Sequence, residues 1–155
     1  MKILMVCLGN ICRSPLADGL MRKKIIDNKL EIIVDSAGTT GIHSGESPDI
    51  RMCHTARSFG TPIDYLKSRK FTVEDFDNFD HIYVMDKSNK ANVLQLARTE
   101  ADKNKVELIL NVSHPGENME VPDPYYGGEE GFVEVYKLLD KATDAILEKI
   151  KNNEL

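Results

Sequence analysis

The chain has 155 residues, of which 41% are hydrophobic and 29% charged, with a formal net charge of −5 and three cysteines. That is the balance of an ordinary globular protein with room for one core, and it supplies no basic surface for nucleic acid. The apolar run after Lys2 stops at Gly9, too short for a secretory signal or a membrane span, so a cytoplasmic protein without a membrane partner is expected.

In chain order, Ile3–Val6 reads as a first buried strand, and Leu16, Leu20, Met21 and Ile25 recur at helical spacing from Pro15 to Asp27, where Asn28-Lys29 closes the helix. Glu31–Asp35 is a β-branched second strand, and Thr39–Pro48 is a loop at its end. Pro48-Asp49 opens a helix that runs to Phe59 and stops at Gly60-Thr61-Pro62. Thr72–Asp75 resembles a helix start, with Phe76 and Phe79 as anchors. His81–Met85 is a third strand, Ser88–Arg98 a helix and Val106–Leu110 a fourth strand. Asn111–Gly128 reads as irregular, and Phe132, Val135, Tyr136, Leu139, Ala142, Ile146 and Ile150 give a last helix packed across the sheet. The alternation predicts a single α/β domain over 1–155: a four-stranded parallel sheet, order 2-1-3-4, with helices on both faces.

The stretch Val6–Pro15 carries the chemistry. Cys7 and Arg13 stand six positions apart, so a loop curled between them can aim a thiolate and a guanidinium at one anion. The N–H groups from Leu8 to Arg13 can line the ring if Gly9 and Asn10 accept positive φ. Ser14 then reads as the N-cap and Pro15 as the first helical residue, which turns the positive end of the helix toward the anion. A thiol needs such positive surroundings to act as a nucleophile, and the planar fork of Arg13 suits a phosphoryl group better than a Lys would. Displacing a phenolate also needs an acid, and Asp123 stands in a Pro-stiffened loop, Val121-Pro122-Asp123-Pro124-Tyr125-Tyr126. His43, His54, His81 and His114 have no ligand spacing, so no metal or other cofactor is expected.

Together, Cys7–Pro15, Asp35-Ser36-Ala37-Gly38-Thr39, Tyr83–Asn89 and Asp123-Pro124-Tyr125 resemble the low-molecular-weight protein tyrosine phosphatases, in order and spacing along nearly the whole chain. The resemblance implies that Cys7 attacks phosphotyrosine to form a phosphocysteine, that Asp123 serves as acid and then base, and that Arg13 with Leu8, Gly9, Asn10, Ile11, Cys12 and Ser14 surrounds the phosphate. It implies bracing roles for Asn10, Ser36 and Asp86, although Ser36 and Asp86 also read as strand-end caps. It implies a reversible Cys7–Cys12 disulfide, with a simply packed Cys12 thiol as the other reading. Ile42, at a rim position where many members carry an aromatic residue, is expected in the pocket wall with Leu8, Ile11, Tyr125 and Tyr126, the two tyrosines being core aromatics in the other reading. Leu66 replaces a loop-supporting histidine of several members, so that support must be absent or replaced.

Two other functions fit a Cys-x5-Arg loop. An arsenate reductase of this fold would need relay cysteines, and Cys53 is the only one beyond the loop. A non-catalytic module binding phosphate or phosphopeptide would need neither nucleophile nor acid. The expected partner is a phosphotyrosine-bearing protein; the sequence leaves the oligomeric state open, with a monomer as the expectation.

Overall fold

The computed structural model describes residues 1–155. Its centre is β1 (Lys2–Cys7), which pairs in parallel with β2 (Ile33–Gly38) on one side and β3 (His81–Val84) on the other. β4 (Val106–Leu108) extends the sheet beside β3, giving the order 2-1-3-4 that the alternation predicts. A strand covered on both faces reads as continuously apolar, and Ile3, Leu4, Met5 and Val6 are all fully buried.

Two cores result. On one face Ile3 and Met5 pack with α1 (Arg13–Asp27), α2 (Ile50–Ser58), α6 (Leu110–Ser113) and α7 (Glu129–Lys151). On the other face Leu4, Val6, Ile82 and Val84 meet Phe71, Phe76 of α3 (Asp75–Asn78), Phe79 and Val93 of α4 (Lys87–Leu94), with α5 (Glu100–Asn104) leading into β4. The last helix rests chiefly on α1, α2 and α6 instead of crossing the strands directly. No helix is long and apolar enough to cross a membrane.

Several expected boundaries move. α1 begins at Arg13, with Cys12 in the N-cap position, so Ser14 and Pro15 are its second and third residues. The hydroxyl of Ser14 is taken up by the site and does not cap, while Pro15 still falls among first-turn positions whose N–H has no helical acceptor. β2 runs from Ile33 to Gly38, later than its β-branched stretch implies. β4 stops at Leu108 because Ile109 turns into the helical region and opens α6, so the first part of the expected irregular segment is helical. The helix after β3 ends at Leu94, and a separate α5 starts behind Thr99, whose hydroxyl accepts from the Asp102 N–H.

Phe76 is fully buried in the smaller core and packs edge-on to Phe71 at 5.3 Å between centroids, far in sequence from the Cys7 loop. Phe76→Ala is expected to lower the unfolding free energy by about 3–5 kcal/mol, read as a fall in the urea midpoint with an unchanged slope.

Candidate active site

At the carboxyl end of β1, where parallel sheets bind ligands, the chain from Leu8 to Cys12 curls over Cys7. Its carbonyls are bonded outward. Cys7 carbonyl accepts from Thr39 N–H at 2.9 Å, Leu8 from Thr40 N–H at 3.0 Å, and Ile11 from Asp49 N–H at 2.7 Å. The Gly9 carbonyl accepts from the Ser68 hydroxyl at 3.1 Å. The N–H groups of Leu8, Gly9, Ile11 and Cys12 donate to no backbone carbonyl. With carbonyls held on the outside, these amides and the start of α1 are left for an anion in the middle.

Asn10 fixes the turn. It has φ of 57°, the left-handed conformation its spacing anticipates, and is buried. Its side-chain nitrogen donates to Ser14 Oγ at 2.7 Å and Ser36 Oγ at 3.0 Å, and its Oδ1 accepts from Arg69 N–H at 3.0 Å. Ser36 therefore braces the loop. Leu66 is buried and bonds to nothing in the loop, and Ser68 and Arg69, from the same segment, supply the support. Arg69 is held in turn by Asp35 and Asp75 at 3.0 Å.

Cys7 is almost fully buried at 3% exposure, so its sulfur lies at the floor of a pocket. Asn10 N–H donates to the sulfur at 3.3 Å. Ser14 Oγ is 3.0 Å from it and accepts from Asn10, and its one hydrogen has two acceptors in reach, the sulfur and the Ala37 carbonyl at 3.4 Å. Cys12 also faces the pocket, but burial, and after it the negative charge of Asp49, Cys7 and Asp123, pushes its thiol well above the ordinary value. Cys12 is therefore held as the protonated thiol. All three cysteines are free, and Cys53 is packed inside α2 as expected.

Arg13 is buried at 2% exposure with its guanidinium aimed across the loop. Nη1 donates to Asp86 Oδ2 at 2.7 Å and to the Val121 carbonyl at 3.0 Å, and Nη2 lies 3.6 Å from Asp123 Oδ2. Burial opposes its charge, but Cys7, Asp86 and Asp123 outweigh burial and hold the proton more firmly than usual. One oxygen of Asp86 accepts from Arg13 and the other caps α4 through Asn89 N–H at 2.7 Å.

The pocket has a volume of about 300 Å³. Leu8, Ile11, Ile42, Tyr125 and Tyr126 line it, together with Thr40 and His43, which sequence reasoning missed. Ile42 and Tyr126 are 80% and 92% exposed, so neither they nor the partly exposed Tyr125 are core residues. Asn10 and Ser14 do not line the cavity; they act from behind it. His43 had no spacing signal, and its place follows from the hydrogen-bonded pair it makes with Glu46. No three His, Cys, Asp or Glu side chains converge into a metal-ligating group.

A buried thiol ringed by amides and faced by an arginine defines the class of α/β proteins that bind a phosphoryl group over a cysteine. Residues 2–155 match the family described as low molecular weight phosphotyrosine protein phosphatase, and the chain belongs to that family. It is 39% identical to the low molecular weight phosphotyrosine protein phosphatase of Schizosaccharomyces pombe, over 87% of both chains. With the human protein of that name it shares 38% identity over 96% of this chain and 94% of the other. A protein tyrosine phosphatase from Entamoeba histolytica superposes with a TM-score of 0.93 at 40% identity, covering 100% of this chain and 99% of that one.

Asn10→Ala removes three hydrogen bonds while keeping the demand for positive φ, and is expected to cost about 2–4 kcal/mol in urea unfolding. Asn10→Asp keeps the acceptor for Arg69 but loses both donors, and inorganic phosphate should inhibit this variant about tenfold more weakly.

Proposed function

We propose that this chain is a protein-tyrosine phosphatase acting on phosphotyrosine-bearing proteins in the cytoplasm, as one catalytic domain and without a metal or other cofactor. The observation that carries the reading is the buried Cys7 sulfur, set under unpaired loop amides in a pocket that Arg13 and Asp123 also line, 3.6 Å from each other. The Cys7 thiolate attacks phosphorus and the P–O bond to the phenol breaks, the departing oxygen taking a proton from Asp123. Arg13 and the loop amides hold the equatorial oxygens through the trigonal transition state, where their charge is spread. Asp123, now a carboxylate, takes a proton from water as that water attacks the phosphocysteine. Inorganic phosphate leaves, and the thiolate and the acid are both restored.

Pocket shape supports an aryl substrate. The sulfur is at the floor and the wall is apolar, so an aromatic ring can fill the space between the sulfur and the rim. A phosphoserine would have to bring its backbone into the cavity. Neither rival reading is favoured by an observation: Cys53 is packed away from the pocket, and a binding module would have no use for Asp123 beside the phosphate.

Cys7→Ser is expected to abolish hydrolysis of p-nitrophenyl phosphate and to retain phosphotyrosine proteins in a pull-down. Asp123→Ala should slow phenyl phosphate by roughly 10²–10⁴. Undiminished activity of Cys7→Ser would sink the phosphatase reading, and an unchanged rate for Asp123→Ala would remove the acid.

A further inference from the structure

Arg51 lies outside the pocket, and the reaction above does not use it. Its guanidinium carbon is 5.3 Å from the centroid of the Tyr125 ring and 4.8 Å from that of Phe132. Nε and Nη2 donate to the two oxygens of Asp49 at 3.0 and 2.8 Å. Asp49 is itself fastened to the Cys7 loop, its N–H donating to the Ile11 carbonyl, and it caps α2 through the Arg51 N–H at 2.8 Å. A planar cation held in such a fork has little orientational freedom left to lose when a ring packs on it.

Of the two rings, Phe132 is fixed in α7, and Tyr125 belongs to the segment that carries Asp123. Between Val121 and α7 this segment has no regular structure. Its hydrogen bonds to the rest of the fold, from Arg13 to the Val121 carbonyl and from Val121 N–H to the Met85 carbonyl, fall before Asp123. Beyond Asp123 the hydrogen bonds are internal: Tyr125 N–H to Asp123 Oδ1 at 3.1 Å and Gly127 N–H to the Pro124 carbonyl at 3.0 Å. The downstream half is thus tied outward by Arg51 against Tyr125, and the carboxyl group sits between the Tyr125 N–H on Oδ1 and Arg13 Nη2, 3.6 Å from Oδ2.

We propose that Arg51 is a positioning residue for Asp123, setting the distance between the phosphate-binding loop and the acid through the Asp49 fork on one side and the Tyr125 ring on the other. Its premise is the acid role of Asp123 assigned above. Lysine would keep the charge but not the two-point grip on Asp49.

The test compares kcat/KM, which covers departure of the phenol, for phenyl phosphate, whose leaving group needs a proton, and for 2,4-dinitrophenyl phosphate, whose leaving group does not. Arg51→Ala should lower the phenyl phosphate value by about 3- to 30-fold, the range set by one lost cation–π contact, and the dinitrophenyl value by less than about twofold. Introduced into Asp123→Ala, it should cause no further loss on phenyl phosphate, because the group it positions is gone. Arg51→Lys should fall between wild type and Arg51→Ala, and it carries the same comparisons if the alanine variant is poorly folded. Equal losses on both substrates, an undiminished loss in the Asp123→Ala background, or no loss at all would overturn the positioning role while leaving the acid in place. If Asp123→Ala itself turns over phenyl phosphate at the wild-type rate, the acid assignment fails and the role of Arg51 fails with it.

Discussion

Everything at the pocket depends on the outward bonding of the Cys7 loop's carbonyls. Peptide groups have two ends, and fixing the oxygen of one residue constrains the N–H of the next. Thr39, Thr40, Ser68 and Asp49 each engage one carbonyl, and they come from three different segments of the chain. The ring of amides is therefore imposed from outside by the fold and does not rest on the loop's own preferences. Asn10 is the complement on the inside, a residue that tolerates the left-handed turn and spends its side chain joining Ser14, Ser36 and the Arg69 backbone.

Arg13 illustrates how a buried charge is managed. Desolvating a guanidinium is costly unless its donors are satisfied, and here Asp86 and the Val121 carbonyl share Nη1. Both partners lie just beyond the sheet, Asp86 after β3 and Val121 paired by its N–H to Met85. The arrangement holds the cation still while Nη2 remains turned toward Asp123. A fixed fork loses little entropy on gripping phosphoryl oxygens, which suits the proposed mechanism, in which they are held through a change of geometry at phosphorus.

How much was legible followed from how local the cause was. The sheet order came from the alternation of apolar strands and periodic helices, and the ends of α1 and α2 from Asn28, Lys29 and Gly60, all local signals; Lys29 and Gly60 indeed have positive φ. Cys7 and Arg13 stand out by their spacing, and Ser36 and Asp86 only through the family resemblance of the short stretches that hold them. The failures are tertiary. Ser14 looks like a cap in isolation, but its hydroxyl is drawn to Cys7 and Asn10. Val106–Leu110 is β-branched enough for a longer strand, yet the sheet needs only three residues of it before the chain turns under α7. Arg69, Ser68, His43 and Arg51 carry no spacing signal, because each acts on a partner remote in sequence or on a rim that only the folded chain creates.

The central place of β1 has a consequence for how the molecule comes into being. The first strand in the sequence is the middle strand of the sheet, and its fully apolar stretch has no complete shelter until β3 and the second core arrive some 80 residues later, His81 pairing with Ile3. The partners of Arg13 come later still. A growing or refolding chain can therefore form α1 early, but it cannot assemble a working pocket until nearly all of its sequence is in place. On the proposed mechanism, phosphate binding would in that sense report that the whole fold is complete, and a partly folded chain would carry Cys7 without the groups that let it react.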